Sequence, residues 1–258
     1  VQQKDIIYTN ISEIYYLKKN YDLSIKYANE ALKNNKNNYY AVINIANCYI
    51  ELERIEEAIE ELEKIGVHNK NVSMIFTNLG YSYKLLGNYD KANLNYQKAI
   101  TINPNNHDAH FNLSHIKLAE NNFREGWHHY EQRWETKKFS YKLNFEKPLW
   151  NSKLGYGRIL IWAEQGIGEQ ILFSTILPEL NSHFKKVLVA INDKLVPLFK
   201  LKFKNFEVYP ISQKINEDKF DFHLPIGSLG KFFRKDHNSF LNKSPTIFSK
   251  RIKNIDKS

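Results

Sequence analysis

The chain of 258 residues has little sulfur, with one cysteine (Cys48) and one methionine. A single cysteine excludes an internal disulfide framework and fits a reducing compartment, so a cytoplasmic location is expected. No apolar run approaches the roughly 20 residues that span a bilayer, so no transmembrane segment is expected, and no signal peptide opens the sequence as given, which leaves a removed leader open. The first residue is Val1 rather than Met, so the sequence is expected to be a piece or a processed form of a longer chain. GxxxxGK[ST], HExxH and GxSxG are all missing, which removes the P-loop, zincin and serine-hydrolase readings; Ser174 falls inside a helical pattern, not in an elbow. His107, His110, His128 and His129 gather with no cysteine to support them, so no metal site is expected.

Hydrophobic residues make up 42% and aromatics 14%, enough for a real core. Charge is unevenly placed. Residues 1–138 carry 17 Lys+Arg and 17 Asp+Glu; residues 139–258 carry 20 and 11. The whole excess of +9 therefore lies in the second part. Such a surface attracts polyanions, phosphorylated sugars or nucleotides, or is simply solvated lysine. No recognisable RNA- or DNA-binding motif accompanies it, and no nucleic-acid partner is expected.

The first part repeats. Tyr21, Ile55, Tyr89 and Phe123 stand 34 residues apart, and each is followed three residues later by a small residue: Ser24, Ala58, Ala92 and Gly126. Four further on come Ala28, Leu62, Tyr96 and Tyr130. A helical face precedes each, for example Val42/Ile45/Tyr49 and Phe76/Leu79/Tyr83. A 34-residue helix–turn–helix period with small crossing residues resembles the tetratricopeptide repeat, and about four units fill residues 1–138. Lys117 and Arg133 depart from the pattern in the fourth unit, as in a capping or transition repeat. Such solenoids bind peptides or domains on a concave face. Asn10, Asn44, Asn78 and Asn112 share one first-helix position and are candidates to bond an extended peptide there; general asparagine richness is the competing explanation.

Residues 139–157 read as a connector. From Arg158 the pattern becomes strand and helix in alternation: Arg158–Ala163, Lys186–Ile191, Phe206–Ile211 and Phe220–Ile226 as strands, with Glu169–Leu180, Asp193–Lys202 and Gly227–Phe233 as helices. That alternation predicts a parallel α/β sheet. Ligands of such sheets sit at the carboxyl ends of the strands, where "AEQGIGEQ" forms the first turn. Gly166-x-Gly168 lacks the third glycine of a dinucleotide fingerprint, since Ile171 takes its place, so NAD binding is not expected although Asp193 could mimic the ribose-binding acid.

"FREGWHHYEQRW", "KPLWNSK", "ILIWAEQGIGEQILFSTILPEL" and "FDFHLPIGSLGKFF" together resemble, in order and spacing, bacterial tetratricopeptide-repeat glycosyltransferases with a heptosyltransferase-like turn. The resemblance implies an α-solenoid followed by an α/β Rossmann-like domain at 158–258, the N-terminal half of a GT-B enzyme. It implies transfer of a sugar from a nucleotide-sugar donor to a protein or glycan acceptor held by the repeats. The family's glycine–aspartate pair is matched by Gly168 and Glu169, which makes Glu169 the candidate base, with Glu164, Gln165, Gly166 and Gly168 as substrate contacts. The donor-binding C-terminal half is not in this chain, so it should not turn over alone. No other cofactor is implied. The alternative is a non-catalytic repeat scaffold for protein–protein interaction. Trp150 and Trp162 could stack on a sugar but suit packing better, and His223 suits a structural role.

Overall fold

Most of the repeat helices begin where an asparagine caps them. The computed structural model describes residues 3–136, 142–153 and 157–240. Its first element, α1 (Lys4–Leu17), is followed by α2 (Tyr21–Asn34), α3 (Tyr39–Glu51), α4 (Ile55–His68), α5 (Ser73–Leu85), α6 (Tyr89–Ile102), α7 (His107–Ala119) and α8 (Phe123–Tyr130). The side chains of Asn20, Asn88 and Asn122 accept from the backbone N–H three residues on and start α2, α6 and α8. Asn38 and Asn106 do the same for α3 and α7. The period is also written in the backbone. Lys19, Glu53, Gly87 and Asn121, each 34 residues after the last, hold φ of 58°, 60°, 74° and 61°. One left-handed residue per pair reverses the chain between its two helices.

The chain divides into two compact units, Val1–Glu120 and Asn121–Ser258. The fourth repeat's second helix, α8, belongs to the second unit, upstream of the boundary near residue 138 that the repeat pattern suggested. Its buried side chains, Trp127 and Tyr130, have partners there: Trp127 Nε1 donates to Arg234 O, and Tyr130 meets Gln165.

Within the first unit each helix packs on the next, and the first helices α1, α3, α5 and α7 also pack on one another in succession. The first helices therefore line one face. Ser24, Ala58 and Ala92 are fully buried at the crossings, as their size requires. At the α5–α6 crossing, a Cβ on Gly80 would stand 2.6 Å from the Tyr96 ring. Asn38 joins repeats through both ends of its amide. Oδ1 accepts from Ala41 N at 3.1 Å, while Nδ2 donates to Thr9 Oγ1 at 3.0 Å and Asp5 Oδ2 at 3.3 Å. Asn106 repeats the device on Ala109, Ser73 and Thr77. Val72 stands at the intervening position, where the pattern lapses.

In the second unit β1 (Arg158–Trp162), α9 (Ile167–Ser174), β2 (Lys186–Ile191), α10 (Val196–Lys202), β3 (Glu207–Pro210), β4 (Phe222–Pro225) and α11 (Leu229–Phe233) follow a 3-10 turn at Glu131–Glu135. The sheet is parallel throughout, in the order β3-β2-β1-β4. β1 sits inside it and is buried on both faces, as its unbroken apolar run requires. The predicted helix Glu169–Leu180 is shorter than expected. α9 ends at Ser174, and Pro178 lies in a separate 3-10 turn, Leu177–Ser182, because proline denies the helix an N–H. Residues 137–141 and 154–156, which include part of the connector, lie outside the described residues; Leu149 in the connector bridges to His223 in parallel.

Candidate functional site

The turn after β1 holds Glu164, Gln165, Gly166, Gly168 and Glu169, and the structure gives them different surroundings. Glu164 is drawn inward. Its side chain and that of Arg133 are both 0% exposed. Arg133 Nε donates to Glu164 Oε2 at 3.0 Å and Nη2 to Oε1 at 2.8 Å, a two-pronged pair. Gly227 N donates to the same Oε1 at 2.8 Å. The remaining Arg133 donors reach Tyr130 O, Glu131 Oε1 and Ser228 Oγ, so all five N–H groups have acceptors. The guanidinium lies over the Tyr130 and Trp134 rings at 4.4 and 4.5 Å from their centroids. Burial pushes the Glu164 carboxyl up, against the opposing pull of Arg133 and the Gly227 N–H. Burial also raises the Tyr130 hydroxyl. Glu164 thus spends both oxygens inside the protein, whereas the turn reading had it facing a substrate.

Gln165 is half-buried, and its Nε2 donates to Tyr130 OH. Gln170 Nε2 donates to Gln165 O at 2.5 Å while its Oε1 accepts from Asn192 N at 3.0 Å, which ties the turn to the end of β2. Gly166, Gly168 and Glu169 are exposed. Glu169 is the third residue of α9 and folds back, so that a Cβ on Gly166 would meet its Oε2 at 2.8 Å. Gly168 has nothing within 4 Å of that direction and leaves its backbone open. An exposed carboxylate in the first turn of a helix, at the carboxyl end of a parallel strand, is available to accept a proton. The turn also lies where the strand order reverses, between β1 and β4, the usual crevice of open α/β sheets.

Trp162 is wholly buried and donates from Nε1 to His223 Nδ1 at 3.1 Å. The other His223 ring nitrogen bonds the Lys147 backbone. Burial lowers the imidazole's pKa, and acceptance from Trp162 at Nδ1 puts the proton of the neutral ring on Nε2. Trp150 is buried against Phe184, Phe232 and Phe233. Both tryptophans are packing residues in this fold.

The asparagines of the repeats occupy the first helices as expected. Asn10 is exposed. Asn44 donates to Thr9 O at 3.2 Å and Ser12 Oγ at 3.3 Å, across the repeat boundary. Asn78 and Asn112 donate to Met74 O and Asp108 O, one turn back in their own helices, and Asn112 also accepts from Lys84. A groove of about 660 Å³ in the first unit is bounded by Lys84, Tyr89, His115, Ile116, Ala119 and Glu120. A second groove, of about 630 Å³, lies in the other unit between Phe123, Arg124, Trp127, His128, Lys231 and Lys235. His110 is buried, with its Nε2 3.0 Å from Pro104 O, and His128 and His129 stack edge to face. Among the described residues no group of three His, Cys, Asp or Glu could hold a metal ion, and no helix is long and apolar enough to cross a membrane.

Two family models match the helical part: "Tetratricopeptide repeat" over residues 15–73 and "TPR repeat" over residues 80–118. The first unit is built of tetratricopeptide repeats. No curated protein matches the chain. Solved structures similar to it include MamA, at 21% identity over 54% of this chain and 76% of that one, with a TM-score of 0.44. The first TPR of Spaghetti (RPAP3) bound to an HSP90 peptide matches at 20% identity over 46% of this chain and 95% of that one, TM-score 0.43. PilF of Pseudomonas aeruginosa matches at 16% identity over 52% of this chain and 61% of that one, TM-score 0.46.

Proposed function

We propose that this chain is an interaction protein whose repeats hold a polypeptide partner along the face made by α1, α3, α5 and α7. One observation carries the reading. Ile6, Tyr40 and Met74, at one register of α1, α3 and α5, are all large, apolar and exposed, and the exposed Asp108 ends the row on α7. A row of that kind on a solenoid's inner face suits an extended apolar segment. Replacing Tyr40 and Met74 by Glu should abolish retention of the partner that the wild-type chain holds, at an unchanged thermal midpoint. Undiminished retention by the variant would overturn the reading.

A second reading concerns the other unit, supported by the exposed Glu169 at the point where the strand order reverses. The α/β unit is then the acceptor-side half of a GT-B glycosyltransferase, the repeats present a protein or glycan acceptor, and a further half binds the nucleotide sugar. Glu169 takes the acceptor's hydroxyl proton, and the open backbone at Gly166 and Gly168 admits the acceptor. Gln165 orients the turn through Tyr130. In a parent carrying both halves, Glu169→Gln should lower kcat by about 10²-fold or more with KM little changed. Near-normal turnover removes Glu169 as the base.

A further inference from the structure

The repeats are equivalent at 34-residue intervals, so the same position can be compared across four first helices. Positions 41, 75 and 109, and 48, 82 and 116, are the ones that α3, α5 and α7 bury. Ala41, Ile75, Ala109, Cys48 and Ser82 are 0% exposed and Ile116 is 3% exposed. Each of these helices packs on the second helix of the repeat before it: α2 on α3, α4 on α5, α6 on α7. The contact is close. A Cβ on Gly66 of α4 would lie 3.5 Å from Ile75 Cγ2, and Ala28, Ala31 and Leu32 of α2 cluster with Ala41 and Ile45 of α3.

In α1 the equivalent residues are Ile7 and Ile14. They are β-branched, apolar and buried nowhere: Ile7 is 52% exposed and Ile14 51%. An ordinary solvent face of a repeat helix puts lysine or glutamate here; this one has the larger member of the buried set. The outer face of α1 therefore continues a stacking interface that the chain forms three times over.

We infer that the face of α1 bearing Ile7 and Ile14 is a docking surface for one more helix of the type of α2, α4 and α6. The occupant is an amphipathic helix of about four turns that sets a small residue against Ile7, as α4 sets Gly66 against Ile75. It must be small at that one point, because Ile7, like Ile75, fills space that Ala41 leaves open. It needs no charge complement, since both residues that meet it are aliphatic. The inference is independent of the binding face proposed above, which uses Ile6, Tyr40 and Met74 on a different stripe of the same helices.

A further copy of residues 36–69, placed in phase ahead of Gln2 in the full chain, supplies such a helix as a second α4. The helical unit should then unfold in one transition with its midpoint raised by about 4 °C or more. Amide exchange in α1 should slow at least tenfold. Ile7→Glu with Ile14→Glu should cancel both gains in the extended chain while leaving the midpoint of the unextended chain unaltered, which separates docking from folding. An added repeat that melts in its own transition, with α1 exchange unchanged, overturns the inference. Sedimentation of the unextended chain tests the other occupant. A dimer that Ile7→Glu disperses and that the added repeat fails to displace would give the face to a second copy and overturn the helix assignment.

Discussion

Replacing Glu164 by Gln keeps shape and removes one charge at the centre of the second unit. Arg133 would be left fully buried with its two-pronged partner gone and the part-exposed Glu131 as its remaining counter-charge. One oxygen of the new amide can still accept, but its NH₂ must face either an Arg133 donor or the Gly227 N–H, donor against donor. Breaking one side of a buried pair of this kind costs about 3–5 kcal/mol. At roughly 2.1 cal/mol/K of unfolding entropy per residue, a unit the size of Asn121–Ser258 should lose about 10–17 °C of midpoint. The assay is built into the chain. All four tryptophans, Trp127, Trp134, Trp150 and Trp162, lie in this unit, so tryptophan emission follows it alone while far-UV circular dichroism follows mainly the helical repeats. Removing both charges with Arg133→Met and Glu164→Leu should recover most of the loss, because the desolvation cost leaves with the pair. A shift under about 3 °C for Glu164→Gln would refute the picture of a sealed, fully compensated pair.

Two other measurements bear on the packing. Burial lowers the His223 pKa below its unfolded value, so its contribution is present above about pH 6.5 and is lost as the pH falls through the lowered folded value. The difference in tryptophan-detected midpoint between wild type and His223→Gln should shrink below pH 6.5, since a protonated Nδ1 can no longer accept from Trp162; a constant difference would contradict this. In the repeats, Gly80→Ala puts a methyl 2.6 Å from the Tyr96 ring and should cost about 1–3 kcal/mol in the circular dichroism transition. Adding Tyr96→Leu should restore it, as Leu62 fills the equivalent site one repeat earlier.

The repeats were legible because their signal is local and redundant. Small residues at 24, 58, 92 and 126 announce helix crossings wherever they recur, and the buried result follows from size alone. The alternating apolar runs after Arg158 announced a parallel sheet for a similar reason. Strand order was not legible, because nothing in β4 says that it pairs with β1 rather than β3. Glu164 shows the limit most clearly. Its neighbours suggested an open turn, but its partner is 31 residues away and belongs to a repeat remnant. One signal did exist. Arg133 occupies the position of Ala31, Ile65 and Ala99, all buried, and a charge at a periodically buried position demands a counter-charge. The period could say that a partner was required, but only the fold could say which.

The two-ended use of Asn38 and Asn106 gives the molecule a way to age. Aspartate caps a helix about as well as asparagine, so by capping alone the exchange would be silent. Here the amide nitrogen is the half that clasps the neighbouring repeat, and a carboxylate has no hydrogen to give. Deamidation at Asn38 would also set a new negative charge against Asp5. Conversion to aspartate at Asn20 or Asn88, which cap through oxygen, keeps the cap. Within one repeat array, identical residues at related places therefore differ in whether time can damage them.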